Sequence, residues 1–96
     1  MSAGIERLTD TTTGHGSWPS TYIITASPNV FINGLGAARL KDIAQIHCDN
    51  DNNCHYPEFS KTSATVFVNG LGVATKVSSY NCGDTPKSMS PNVFAS

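Results

Sequence analysis

Apolar residues come along this chain in short bursts: TYIIT at 21–25, NVFI at 29–32, TVFV at 65–68 and NVFA at 92–95. Between them the chain is rich in Thr, Ser, Asn and Gly. Bursts of β-branched and aromatic residues bounded by turn formers read as strands. Pro28 and Pro91 stand at strand starts, where a missing N–H costs little. Only AARLKDIAQIH, residues 37–47, is a candidate helix, and it alternates as well as it follows the helical period. The pattern predicts an all-β domain.

The bursts are also copies. SPNVFINGLGAAR at 27–39 returns as SATVFVNGLGVAT at 63–75, and SPNVFAS at 90–96 begins the phrase again. Residues 30–38 and 66–74 agree at seven of nine positions, and SPNVF matches 27–31 at all five. In the first two copies an Asn-Gly pair, Asn33-Gly34 and Asn69-Gly70, follows the strand. Both central residues of a type I′ turn need positive φ, so Asn-Gly marks a hairpin. The expectation is NVFI, turn, LGAARL in the first copy and TVFV, turn, LGVATKV in the second. The third copy, cut short at the chain end, would complete a pseudo-threefold ring. Alternation puts Asn29 and Phe31, Thr65 and Phe67, and Asn92 and Phe94 on one face, with Val30, Val66 and Val93 on the other. The valine face is expected to be core, which leaves the first six residues as candidates for contact with a partner.

At 96 residues the chain has room for one domain with a thin core, and such domains often need a staple. Charged residues make up 14% and the formal net charge is −1, with no basic block. Binding to nucleic acid by phosphate neutralisation has nothing to work with. The N-terminal MSAGIERLTDTTTGHG has no apolar core of a signal peptide, and no stretch approaches the ~20 apolar residues of a membrane span. The expectation is a chain not exported by a cleaved signal.

Every histidine and cysteine lies outside the repeats: His15 in TGHG, His47, Cys48, Cys54 and His55 in IHCDNDNNCHY, and Cys82 in YNCGD. If each repeat carries its connector to a common point, these residues meet there. Mixed His and Cys ligands suit zinc in a tetrahedron. Three cysteines leave one over from any disulfide framework, and without a secretory signal metal binding is the preferred use of cysteine. A Cys48–Cys54 disulfide stays open. The DNDNN run fails the EF-hand pattern at its Gly and Glu and reads as a solvated turn. A zinc hydrolase would need an open coordination position and a general base, and Glu6 and Glu58 are the only glutamates, neither in an HExxH pattern.

The repeated phrase, with a histidine before it and a His/Cys connector behind, resembles the PAAR-repeat family from about Thr13 to Ser96. The stand-alone length is similar to that of the small tail-spike tips of T4-like phages. The resemblance implies a small conical domain of short strands and hairpins with zinc near its apex, iron being the alternative. Carried over, the ligands are His15, His47, His55 and Cys82, although Cys54 could stand in for its neighbour His55. The implied role is structural rather than catalytic: a monomer that caps a trimeric β-helical spike, one copy per trimer. That spike belongs to a contractile phage tail, with a type VI secretion spike as the alternative. The implied location is the virion tail tip, in transient contact with the target membrane when the spike pierces it. Where the family has Pro-Ala-Ala-Arg, this chain has Gly36-Ala37-Ala38-Arg39 and Gly72-Val73-Ala74-Thr75.

Overall fold

In the computed structural model, which describes residues 2–96, the chain forms only short strands, and the described residues include no helix. In chain order these are β1 (Ala3–Gly4), β2 (Phe31–Ile32), β3 (Leu35–Gly36), β4 (His47–Cys48) and β5 (Cys54–His55). β6 (Phe59–Lys61), β7 (Phe67–Val68), β8 (Leu71–Gly72), β9 (Ser79–Tyr80) and β10 (Phe94–Ala95) follow. They pair antiparallel as β1–β10, β2–β3, β4–β5, β6–β9 and β7–β8. The stretch 37–47 that suited helix and strand equally forms extended pieces, tied by bridges such as Arg39–Val73 and Ile23–Ala44, on either side of a turn at Leu40–Lys41 where Lys41 has φ 74°.

The two Asn-Gly hairpins form as their sequence requires. Asn33 and Asn69 both have φ 54°, and Gly34 and Gly70 have φ 80° and 78°, the left-handed values of a type I′ turn. In each hairpin a phenylalanine faces the next-strand glycine, Phe31 opposite Gly36 and Phe67 opposite Gly72. The third hairpin is assembled from both chain ends: Phe94 faces Gly4 and Ala95 faces Ala3. Residues 3–12 thus stand where the second half of the third copy would be.

With that third copy the symmetry becomes a closed cycle of backbone hydrogen bonds. The Ala38 N–H donates to the Glu6 carbonyl, Ala74 to Ala38, and Glu6 to Ala74, each at 2.9 Å. A second cycle runs from Leu8 to Gly36, Leu40 to Gly72 and Lys76 to Gly4, at 2.8–2.9 Å. Bridges Arg7–Ala37, Arg39–Val73 and Ile5–Thr75 follow the same rotation. No copy has a free strand edge facing the others, which is how three two-residue hairpins hold together. Gly4, Gly36 and Gly72 are required here, because a Cβ on any of them would collide with the carbonyl of Ser90, Ser27 or Ser63.

Successive residues around the ring point to opposite sides. Ile5, Ala37 and Val73 join Ala95 in one apolar cluster, against which Val30, Ile32, Val68 and Val93 pack. Ala38 and Ala74 join Ile23, Ala44, Phe59 and Tyr80 in a second cluster, which Leu8 and Cys82 cover. The hairpins thus sit on one side of the ring and the Cys82 turn on the other. Val30 and Val93 pack against the core as expected, whereas Val66 is 36% exposed and joins neither cluster, leaving Val68, the equivalent of Ile32, to represent that strand.

Candidate metal centre

Three connectors converge on the side of the ring away from the hairpins. His15 stands in a tight turn closed by two backbone bonds with Trp18, at 2.8 and 3.0 Å, and flanked by Gly14 and Gly16 with positive φ. His47 and His55 lie directly opposite each other on β4 and β5. Cys82 occupies a turn completed by Gly83 at φ 93°. One ligand atom from each of His15, His47, His55 and Cys82 lies within 4.8 Å of all the others.

The three Nε2 atoms meet at 3.2 Å (His15–His47), 3.2 Å (His15–His55) and 2.7 Å (His47–His55). Zn–N bonds of about 2.0–2.1 Å in a tetrahedron require N···N edges of roughly 3.3 Å. The two edges from His15 match that figure and the His47–His55 edge is shorter, so the three rings are drawn together about one point where a small cation could sit. The His47 Nδ1 lies 2.8 Å from the Pro19 carbonyl. A carbonyl only accepts, so the proton sits on Nδ1 and the Nε2 lone pair faces the cluster, as a metal ligand requires. Burial, and then the neighbouring His47 and His15 rings, hold the His55 imidazole below its usual pKa and favour the neutral form. Burial raises the Cys82 thiol, so it keeps its proton until a bound cation displaces it. This donor set could hold a metal ion, and with four protein ligands it would close the coordination sphere.

Two residues outside the ligand set shape the site. Asp84 is fully buried and accepts from the Gly14 and Thr85 N–H groups at 2.8 Å and from Thr13 Oγ1 at 3.2 Å. It thereby ties the His15 turn to the Cys82 turn. Trp18 stacks on His15 with centroids 4.9 Å apart and planes 17° from parallel. Its indole N–H donates to the Asn53 carbonyl at 2.9 Å. The Gly-Asp after Cys82 and the lone Trp near His15 were the only traces of these roles in the sequence.

Cys48 and Cys54 are joined in a disulfide across β4 and β5, which corrects the preference for metal as their use. Position explains it. They form the cross-strand pair next to His47 and His55, so the same register that brings the histidines together brings the thiols together. Cys54 is therefore not available to replace His55. Asp49 caps the DNDNN turn, accepting from the N–H groups of Asp51 and Asn53, so that run is a self-bonded loop.

The PAAR motif model matches residues 13–86. The chain belongs to the PAAR-motif family. No curated protein matches it. The matched span holds all four cluster residues and two whole copies of the phrase, while both halves of the third copy fall outside it. PAAR domains bind metal, and the motif fits a spike-tip protein of a contractile injection system. The structure also shows what the name-giving tetrapeptide does in this PAAR domain. In its three forms, Gly36-Ala37-Ala38-Arg39, Gly72-Val73-Ala74-Thr75 and Gly4-Ile5-Glu6-Arg7, the first residue passes a serine carbonyl and the third closes the ring. In two of them the fourth is an arginine paired with an aspartate, Arg7 with Asp10 at 2.8 Å and Arg39 with Asp42 at 2.9 Å.

The six residues proposed for partner contact divide by role. Phe31, Phe67 and Phe94 are 59%, 59% and 56% exposed, one on each hairpin. Asn29 and Asn92 instead accept from the neighbouring hairpin turns, Asn69 to Asn29 and Asn33 to Asn92, both at 2.9 Å. Thr65 closes the same cycle by donating to the Ser96 carbonyl at 3.2 Å.

Proposed function

We propose that this protein is a metal-stapled tip that caps and sharpens the trimeric β-helical spike of a contractile phage tail, one copy per trimer. The observation that carries this reading is the trio of half-exposed phenylalanines on a closed pseudo-threefold ring. Large apolar side chains left in water at symmetric positions mark a surface built for contact. A single chain with pseudo-threefold symmetry complements the end of a true threefold trimer, whose three strand ends would otherwise be open edges. On the other side of the ring the second apolar cluster ends beneath Cys82, and beyond it zinc held by His15, His47, His55 and Cys82 ties the connectors into a point. A saturated ion at that point resists fraying as the spike pierces a membrane, and it leaves no coordination position for an activated water. The reading places the protein at the virion tail tip, a monomer until it meets its spike.

Mixing the zinc-loaded protein with trimeric β-helical spikes tests this directly. One chain per three spike chains by mass measurement is the expected result, with a phage spike bound and a type VI spike not. Binding only to a type VI spike would move the protein to a secretion system, and binding to neither would overturn the tip assignment. Phe31→Asp with Phe67→Asp should abolish capture while leaving metal content unchanged, since both side chains are half exposed and distant in the chain from the ligands.

A further inference from the structure

The Cys48–Cys54 disulfide joins exposed residues, one position along the chain from each of two metal-cluster histidines. β4 and β5 contain two residues each, and so short a ribbon is marginal in water without further support. The cross-link therefore does much to keep His47 opposite His55. The loop it closes, residues 49–53, is also where Trp18 is anchored, through the indole N–H to the Asn53 carbonyl. Trp18 in turn stacks on His15, at 4.9 Å, and lies 5.3 Å from the His55 ring. Three of the four cluster residues thus depend on one small loop: His47 and His55 by register, and His15 through Trp18.

We propose that the Cys48–Cys54 disulfide is a thiol-exchange site and that, with Trp18 as a positioning residue, it forms a clasp that sets how fast the metal leaves. The inference rests on the reading of the cluster as a metal site. A small thiol, of the glutathione class, supplies the chemistry. Its thiolate attacks one sulfur, the Cys48–Cys54 bond breaks and a mixed disulfide forms. A second thiolate then displaces the protein sulfur. Two thiols become one low-molecular-weight disulfide, and Cys48 and Cys54 gain the two electrons and two protons. Exchange depends on access, which the exposed position of both residues provides. Once the bond is open the loop loses its closure, Trp18 loses a fixed partner, and the histidines lose their common orientation. Groups that orient ligands are worth roughly 10–100-fold in metal affinity.

The test uses the oxidised, zinc-loaded protein and a chromogenic chelator that reports zinc release. Reduced glutathione should speed release about tenfold, as should Cys48→Ser with Cys54→Ser in its absence, each with a red shift of Trp18 fluorescence. Should the double variant fail to fold, glutathione treatment of the wild-type chain still decides the matter. Trp18→Phe, which keeps a stacking ring but has no N–H, should release zinc faster when oxidised and gain little further speed on reduction. Unchanged release on reduction would overturn the clasp, and slower release would do so by showing the freed thiols to be ligands. Zinc held by the oxidised protein with release insensitive to thiols would sink the clasp alone. Failure of the oxidised protein to bind zinc, cobalt or iron at all would remove the metal reading and the clasp with it.

Discussion

Ala95 pairs with Ala3 in the register that sets Ile32 against Leu35 and Val68 against Leu71. The first and last strands of the chain are thus two sides of one hairpin whose turn is missing. Its equivalents are each closed by Asn-Gly. If the three copies are interchangeable, where the chain is broken should matter little. A permutant that joins Ala95 to Ala3 through Asn-Gly and opens the chain between Asn33 and Gly34 should fold with the same metal content. Its melting temperature should stay within about 10 °C of the parent, a change of roughly 1–2 kcal/mol. An unfolded permutant at saturating metal would show that the copies are not equivalent. Calorimetry on both proteins decides.

The repeat was legible from residues alone because Ser, Val, Phe and Gly recur at the positions that cap, pack and pass closely in each copy. The N-terminal half-copy was not, although Gly4-Ile5-Glu6-Arg7-Leu8-Thr9-Asp10 shares Gly, Arg, Leu and Asp with 36–42. Its other half, residues 90–96, lies at the far end of the chain, where a linear reading does not look. The strands came out shorter than their sequences suggest. Val30 and Val66 spend their carbonyls on Ala37 and Val73 rather than extending a ladder. The cluster residues stood out because every histidine and cysteine lies in the connectors and none in the repeats. Asp84 and Trp18 did not, because their roles exist only once distant turns are brought together.

One position breaks the ring's symmetry in charge. Glu6 occupies the place of Ala38 and Ala74, fully buried, with neither carboxylate oxygen hydrogen-bonded. Burial, reinforced by nearby Asp10 and opposed by Lys76 and Arg7, pushes its pKa up to about 9. The folded protein therefore holds a proton that the unfolded chain releases above its ordinary value of 4.5. Stability should fall as pH rises from about 4.5 to 9, by up to ~1.4 kcal/mol per pH unit, and level off above that window. Glu6→Gln removes the proton exchange, so it should match the wild type near pH 4.5 and exceed it at pH 8. Urea unfolding of both proteins at saturating zinc across this range checks the prediction. The metal cluster is the same in both, so the difference isolates Glu6.

A second break in symmetry leaves space. Where two copies have Arg7–Asp10 and Arg39–Asp42, the third has Thr75 and Ser78, the Ser78 hydroxyl accepting from the Thr75 N–H at 2.9 Å. A cavity of about 190 Å³, lined in part by Lys61, Thr62, Thr75, Ser78 and Ser96, opens beside them. In the filled copies the arginine reaches the next hairpin turn, Arg7 to Asn33 at 3.2 Å and Arg39 to Asn69 at 2.9 Å. Thr75→Arg with Ser78→Asp should fill the space and restore the third pair, for a gain of about 1 kcal/mol or 4–8 °C in melting temperature. Thr75→Arg alone places a guanidinium without its carboxylate and should gain less. A positive coupling energy in the double-mutant cycle is the expected result, and additive or destabilising substitutions would show the slot to be closed to an arginine.

Removal of the metal tests how the domain is stabilised. The ring is held by backbone cycles and an apolar cluster on either face, so it has a core of its own, whereas the turns beyond the second cluster have neither. The connector side has His15, His47, His55 and Cys82 in their place, with Asp84 joining only two of the turns. Binding energy at such a site is folding energy, on the order of 10 kcal/mol for a structural zinc. Only the part not lost to competing unfolded-chain binding appears as stability. Chelation should therefore lower the melting temperature by at least ~10 °C. Hydrogen exchange should rise most in residues 13–18, 47–55 and 80–84, and least at Glu6, Ala38 and Ala74. Cys82→Ala should reproduce the loss at saturating zinc, because three imidazoles leave the fourth position to water. A metal-free protein with an unchanged melting temperature would mean that the disulfide and the ring suffice without the ion.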